Sequence, residues 1–147
     1  MVSYTLDYEQ QPTTVITFRL TGDSLRPEII TETLGVIPFK AWAKGDVKKR
    51  AGNYYTFGCW SLIPTCSKYD PFETQLNQLL DQLEALPPAL HEFVKMFHAE
   101  ISVGYSSGES NFGFTVDRRA IERLYRLGVV LDFDIYTVHQ DDDTEEA

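Results

Sequence analysis

Two carboxylates in the stretch VVLDFDIYTV, residues 129–138, have types and a spacing that could do chemistry. Residues two apart on a strand point to the same side, so Asp132 and Asp134 would project together, about 7 Å apart from twice the rise per residue. A carboxylate pair separated by roughly 6.5–9.5 Å can serve inverting glycoside hydrolysis, with one group as acid and the other as base. The spacing alone therefore permits a catalytic pair.

The residues around this pair favour a plainer interpretation. Leu131, Phe133 and Ile135 alternate with the two aspartates, which is the pattern of a strand with one apolar face and one solvated face. Charges on a strand near the end of a chain also discourage edge-to-edge pairing with other chains. We therefore expect Asp132 and Asp134 to be surface carboxylates, and a hydrolytic pair is the alternative.

Apart from one GxSxG match, no other group of residues has the spacing of a known catalytic or metal site. His91, His98 and His139 are scattered, and Cys59 and Cys66 lack the CxxC spacing of zinc and redox sites. The chain has no GxGxxG motif and no phosphate-binding GxxxxGK loop, so dehydrogenase and nucleotide-binding assignments lack their usual support. Residues 104–108, GYSSG, match GxSxG, but Ser106, Ser107 and Ser110 lie in a glycine-containing segment that is better explained as a turn. We expect no metal and no cofactor, and these observations favour a non-enzymatic protein while leaving an enzyme as the alternative.

The composition indicates one globular domain with an acidic tail. A chain of 147 residues with 43% hydrophobic residues can bury a substantial core. The net charge is −9, but five acidic residues lie in the last seven positions, and without them the net charge is −4. We predict a single domain over residues 1–140 and a disordered acidic tail over 141–147, and this acidity disfavours nucleic acid as a partner.

The sequence also predicts a cytoplasmic protein without a membrane partner. It contains no apolar run long enough to span a bilayer, and its first eleven residues lack the charged and apolar regions of a secretory signal. Two cysteines are too few for a disulfide framework, which is typical of a reducing compartment.

Periodicity predicts six strands and four helices. The strands are expected at 13–20, 36–43, 54–63, 99–105, 111–115 and 129–138, and the helices at 27–34, 71–86, about 90–97 and 118–127. The second helix has the clearest start, with Asp70 as the predicted N-cap and Pro71 at its first position. In the last helix, Asp117 is the expected cap, Ile121 is expected in the apolar stripe, and Arg123 is expected on the outer face.

These elements indicate an α+β fold. We expect a mixed or mostly antiparallel sheet with helices on one face, built from ferredoxin-like split β-α-β units. Residues 18–36 and 112–129 share one pattern: a strand, an acidic N-cap, a helix that ends at a glycine, and a second strand. This pattern is consistent with an internal duplication and also with chance similarity of common strand and helix boundary residues.

Four short segments in a fixed order resemble an uncharacterised bacterial family, domain of unknown function forty-two seventy-nine. They are a helix ending in LG followed by Pro38, the WAKGD segment at residues 42–46, Trp60, and the closing LGVVLDFDIY. The resemblance covers roughly residues 15–137. It implies an intracellular bacterial protein and supplies no activity and no catalytic residues.

Two hypotheses for function follow. The leading one is a non-enzymatic protein-binding module, in the form of an immunity-type inhibitor of a bacterial toxin, because a small acidic domain suits a basic protein partner. The alternative is a small-molecule-binding protein or hydrolase with a pocket near Trp42, Trp60, Asp132 and Asp134. The binding residues predicted under these hypotheses are Trp42, Lys44, Asp46, Trp60, Asp132 and Asp134. The competing structural interpretation places Trp42 in the core and Lys44 and Asp46 on an ordinary turn.

Overall fold

The computed structural model describes residues 11–50, 52–108 and 112–137. The predicted acidic tail, 141–147, lies outside the described residues. In chain order the elements are β1 (Thr13–Gly22), α1 (Pro27–Leu34), β2 (Lys40–Trp42), β3 (Gly58–Leu62), α2 (Phe72–Glu84), α3 (Ala89–Met96), β4 (His98–Ser107), α4 (Arg118–Leu127) and β5 (Val130–Thr137).

The strands form one five-stranded mixed sheet in the order β2-β3-β1-β4-β5. β1 lies in the centre and pairs antiparallel with both β3 and β4, β2 pairs antiparallel with β3, and β4 and β5 run parallel. β2 is an edge strand of this sheet, as the proline two residues before it predicts. The α+β class with a mixed sheet is confirmed, whereas the ferredoxin-like units and the duplication remain predictions.

The helices pack on one face of the sheet because one side of the central strands is apolar. Ile16, Phe18 and Leu20 of β1 are buried at every second position, and they share one core cluster with residues of all four helices. Trp60 of β3 belongs to this cluster and is 0% exposed. Its indole Nε1 donates to the Thr31 hydroxyl of α1 at 3.0 Å, which satisfies the indole's polar atom inside the core.

Helix α2 forms where its leucine spacing predicts, but its N-terminus differs from the prediction. Phe72, Leu76, Leu79, Leu80 and Leu83 are buried along one face. The N-cap residue is Pro71, which has no side-chain cap bond, so the prediction of Asp70 as cap is wrong. The Asp70 carboxylate instead accepts from the Ser67 backbone N–H at 3.0 Å, a local bond that stabilises the preceding turn.

Helix α4 corrects two predictions about its faces. Asp117 caps it as expected, accepting from the Ala120 N–H at 2.8 Å. Ile121, however, is 56% exposed, and Arg123 is buried. The guanidinium of Arg123 donates from Nε to Glu84 Oε1 at 2.6 Å and from Nη2 to Asp81, so two carboxylates of α2 compensate the charge at the α2–α4 contact.

The segment before α4 also differs from its prediction. A hairpin strand was expected at residues 111–115, but residues 112–117 are not in a strand, and 111 lies outside the described residues. Phe114 instead contacts Phe72 and Tyr105 edge-on, with ring centroids 5.1 Å and 4.9 Å away. The aromatic side chains of this segment, whose pattern predicts a strand, therefore pack over the end of the core.

None of the helices in the described ranges is both long and apolar enough to cross a membrane.

A charge in the α2 face should unfold the domain. Leu79 is 0% exposed, so Leu79→Asp places an unpaired charge in the core at a cost of several kcal/mol, against a total stability of about 5–15 kcal/mol. The control is Ile121→Asp on the exposed side of α4, expected to change stability by about 0.5 kcal/mol or less. Urea unfolding followed by circular dichroism measures both, and equal effects would contradict the assigned faces.

Loss of the buried guanidinium should weaken the contact between α2 and α4. Arg123→Ala removes charge-assisted hydrogen bonds to Glu84 and Asp81, and we expect a loss of about 1–3 kcal/mol. Arg119→Ala, on the exposed side of the same helix, should change stability by about 0.5 kcal/mol or less. Chemical denaturation that ranks Arg119→Ala as the more damaging variant would refute this role.

Candidate functional site

The side of the sheet opposite the helices is the candidate functional surface, called here the open face. Cross-strand neighbours arrange its side chains in rows. The central row crosses all five strands and consists of Lys40, Ser61, Arg19, Glu100 and Val130. The neighbouring row consists of Trp42, Cys59, Thr21 and His98. The open face is therefore mainly polar and charged, in contrast to the apolar helix-covered face.

A partly buried ion pair stands at the centre of the open face. Arg19 Nε donates to Glu100 Oε1 at 3.1 Å, and the Arg19 Nη2 contacts the same oxygen. His98 Nε2 lies 3.5 Å from the other carboxylate oxygen. Arg19, Glu100 and Phe57 line a shallow cavity of about 270 Å³ with Thr21 and Gly22. Glu100 is buried while Arg19 is half exposed, so the pair anchors the carboxylate and leaves part of the cation accessible.

Cys59 lies beside this ion pair but does not form a nucleophilic site with it. Burial raises the pKa of the Cys59 thiol; the Arg19 charge opposes this shift and the Glu100 charge adds to it. A nucleophilic cysteine needs a lowered pKa and an adjacent base. The pairing register separates Cys59 from His98 by β1, or roughly two strand spacings of about 4.8 Å. The thiol is therefore a buried structural group.

The two aspartates of β5 are exposed on the open face, as expected for surface carboxylates. Asp132 lies opposite Ser102 of β4, and Asp134 lies opposite Gly104. The Tyr136 hydroxyl donates to Asp134 Oδ2 at 2.6 Å, and this bond, together with the charge of Asp134, raises the pKa of Tyr136. Neither aspartate forms an ion pair with a described cation. Exposed carboxylates of this kind are suited to binding cationic groups.

The WAKGD segment begins a hairpin arm, described over residues 43–50 and 52–57, which connects β2 to β3. Trp42 stacks on Tyr55 with ring centroids 4.2 Å apart, and its Nε1 donates to the Phe57 carbonyl at 3.0 Å. Asp46 Oδ2 accepts from the Ala43 N–H at 2.8 Å and closes the turn, in which Gly45 has φ 91°. Trp42 and Asp46 thus hold the base of the arm together.

The predicted binding residues fall into three separate places. Trp42, Lys44 and Asp46 lie at the base of the hairpin arm, where Lys44 Nζ is 3.4 Å from Asp23 Oδ2. Trp60 is enclosed in the core on the helix-covered side. Asp132 and Asp134 lie on β5, at the opposite edge of the sheet from β2. These residues do not form one pocket, because three strands separate the arm from the aspartates.

Sequence reasoning missed the pair between Arg19 and Glu100. The two residues are 81 positions apart, and they meet only because β1 and β4 pair in one register. The single available signal was the position of Arg19 on the polar side of the first predicted strand. Among the described residues, no group of three or more His, Cys, Asp or Glu side chains could hold a metal ion.

The two thiols should differ in reactivity. Cys59 is buried and Cys66 is half-buried, and burial raises the pKa of both. We expect a thiol reagent to modify Cys66 faster, and Cys59 only as the chain unfolds, as measured by peptide mass spectrometry against urea concentration. A raised pKa means that the folded state binds the thiol protons more tightly than the unfolded state does. The two cysteines therefore contribute fully to the free energy of unfolding below about pH 8.5, and this contribution is lost as pH rises above that value. Equal labelling rates in the native state would contradict this assignment.

Comparison with known proteins identifies a family without an established activity. No curated protein and no solved structure gives a significant match to the chain. One family model matches residues 12–138, which include every described strand and helix. The chain therefore belongs to the family described as Domain of unknown function (DUF4279).

Proposed function

We propose that this protein is a non-enzymatic protein-binding module whose partner is a basic protein, and that it acts as an immunity-type inhibitor of a toxin. The proposal rests on one surface, the β5 patch, formed by Val15, Val130, Asp132, Asp134 and Tyr136. All five side chains lie on the open face and are exposed.

The composition of the β5 patch supports protein binding. Val15, Val130 and Tyr136 are each more than half exposed, at 52%, 53% and 57%. Apolar and aromatic side chains supply the desolvated contact area of protein interfaces, and charges at its margin steer the partner and set its orientation. The two carboxylates and the overall charge of −9 favour a positively charged partner.

A gap within the β5 patch can accommodate a side chain of the partner. Gly104 lies between Val15 and Asp134 in one cross-strand row, and it has no side chain to fill the space. An arginine or lysine entering this gap would lay its apolar stem against Val15 and bring its charge to Asp134. Arginine is enriched among the residues that dominate interface energetics, which makes this gap a suitable centre for the interface.

The proposed compartment is the cytoplasm. Both cysteines are free, as expected of thiols in a reducing environment.

The alternative of one ligand pocket near Trp42, Trp60 and the aspartate pair receives no support from their positions. Trp60 is fully buried, and Trp42 lies at the opposite edge of the sheet from Asp132 and Asp134. A hydrolytic role for the aspartates would have to operate on an exposed strand.

Charge reversal on β5 tests the proposal. The wild-type chain is titrated by calorimetry with the purified products of the genes that neighbour its own, and each product is coexpressed with it to measure growth protection. We expect one basic, toxic product to bind and to be neutralised. Asp132→Lys with Asp134→Lys should weaken this binding by at least about a hundredfold, because each buried charge contact is worth about 2–5 kcal/mol when broken.

The matched control reverses two carboxylates elsewhere. Glu28→Lys with Glu32→Lys makes the same change in net charge on the exposed side of α1, and it should retain binding within about tenfold. Gly104→Thr fills the gap without changing charge and should therefore weaken binding of the partner. The new side chain fits, because a Cβ at this position would meet only the Val15 carbonyl at 3.7 Å. Binding by none of the neighbouring products, or equal weakening by both charge-reversal pairs, would overturn the proposal.

A further inference from the structure

A groove at the β2 edge of the sheet has a different character from the open face. It has a volume of about 500 Å³ and lies between the C-terminal end of α2 and the segment before β2. Its apolar walls include Val36, Pro38, Leu62 and Leu86. Small-molecule sites in proteins have volumes of about 300–1,000 Å³ and are mostly apolar, so this groove has the size and surface of a ligand site.

The side chains at the groove exclude a charged occupant. None of the residues that line it carries a charge, and its polar side chains are Thr65 and Gln82. Ile37 and Phe39 also line the groove and are 86% and 53% exposed, so apolar surface continues outside it. Moving a charged group into such surroundings is unfavourable without a compensating partner.

One buried polar atom at the groove lacks a partner. The amide oxygen of Gln82 is buried and accepts no hydrogen bond from any described residue. An unsatisfied buried acceptor destabilises a folded protein, and most such atoms in native proteins are paired. Gln82 lines the groove, and rotation of its terminal amide about a single bond would turn the oxygen towards a donor bound there.

We infer that this groove binds a neutral, mostly apolar small molecule that carries one N–H or O–H donor, and that Gln82 Oε1 accepts from this donor. The apolar walls bury the apolar surface of the bound molecule. Gln82 favours molecules that carry a hydrogen-bond donor over molecules that lack one. The site is independent of the proposed interface, since β3, β1 and β4 lie between β2 and β5.

A matched pair of probes tests the inference on the full chain. Indole is neutral and apolar with one N–H donor, and 1-methylindole has the same ring without the donor. Binding is measured from chemical-shift changes of backbone amides in a titration of ¹⁵N-labelled protein. We expect indole to shift the amides of Thr65, Ala85 and Leu86, and 1-methylindole to bind about tenfold more weakly, because it leaves the acceptor unpaired.

Two variants separate the donor contact from apolar burial, and a third blocks the groove. Gln82→Leu should bind both probes equally and should be at least as stable as the wild type, because it removes an unpaired acceptor. Asn77→Leu also replaces a side-chain carboxamide by leucine, but at an exposed position of α2, and it should retain the wild-type preference for indole. Ala85→Phe fills the groove and should abolish binding of both probes.

Three results would overturn the inference. The first is equal affinity of the wild type for indole and 1-methylindole, which would mean that apolar burial alone accounts for their binding. The second is the absence of shifts at the groove up to the solubility of indole. The third is a concentration-dependent dimer that Ala85→Phe dissociates, since a second copy of the chain would then be the occupant of the groove.

Discussion

The pairing of β1 on both of its sides is the constraint on which the rest of the structure depends. One face of this strand supplies Ile16, Phe18 and Leu20 to the core, so the helices can pack only on that face. The other face carries the polar side chains Thr17, Arg19 and Thr21 together with the exposed Val15. A shift of β1 by one residue would exchange the two faces, which would expose the core residues and bury the arginine.

The same pairing explains why charge occurs in the middle of the sheet. Arg19 and Glu100 are direct neighbours across β1 and β4, and each reduces the cost of burying the other. At the β5 edge, the parallel pairing with β4 presents Asp132 and Asp134 beside exposed apolar side chains. The open face therefore combines an ion pair at its centre with exposed acidic charge at its β5 edge, where Asp132 and Asp134 form no ion pair with a described cation.

The two proposed sites use different physical means of selection. The β5 patch relies on charge complementarity across an exposed surface, which favours a large basic partner. The groove beside β2 relies on apolar enclosure and a single acceptor, which favours a small neutral molecule. Because no residue belongs to both sites, each can be altered by substitution without directly disturbing the other.

Local patterns were sufficient to determine most elements of this protein. Alternation predicted β1 and β4, leucine spacing predicted α2, and Asp117 predicted the start of α4, because these signals act over a few residues of chain. The same reasoning failed where a long-range contact outweighed the local pattern. The local pattern places Arg123 at the surface, because no local signal reveals that Asp81 and Glu84 of another helix compensate its charge. The segment that includes Phe112 and Phe114 was assigned to a strand because aromatic content favours strands, whereas these rings cover the core.

By itself, the sequence determined the α+β class, the family, the acidic charge and the exposure of Asp132 and Asp134. Only the tertiary structure decided which functional candidates share a surface: it enclosed Trp60 in the core, placed Trp42 on the edge strand β2 at the base of the hairpin arm, and brought Arg19 to Glu100. The physical reason is that alternation fixes which side of a strand a residue occupies. The order and register of the strands, which depend on packing of the whole core, fix its neighbours.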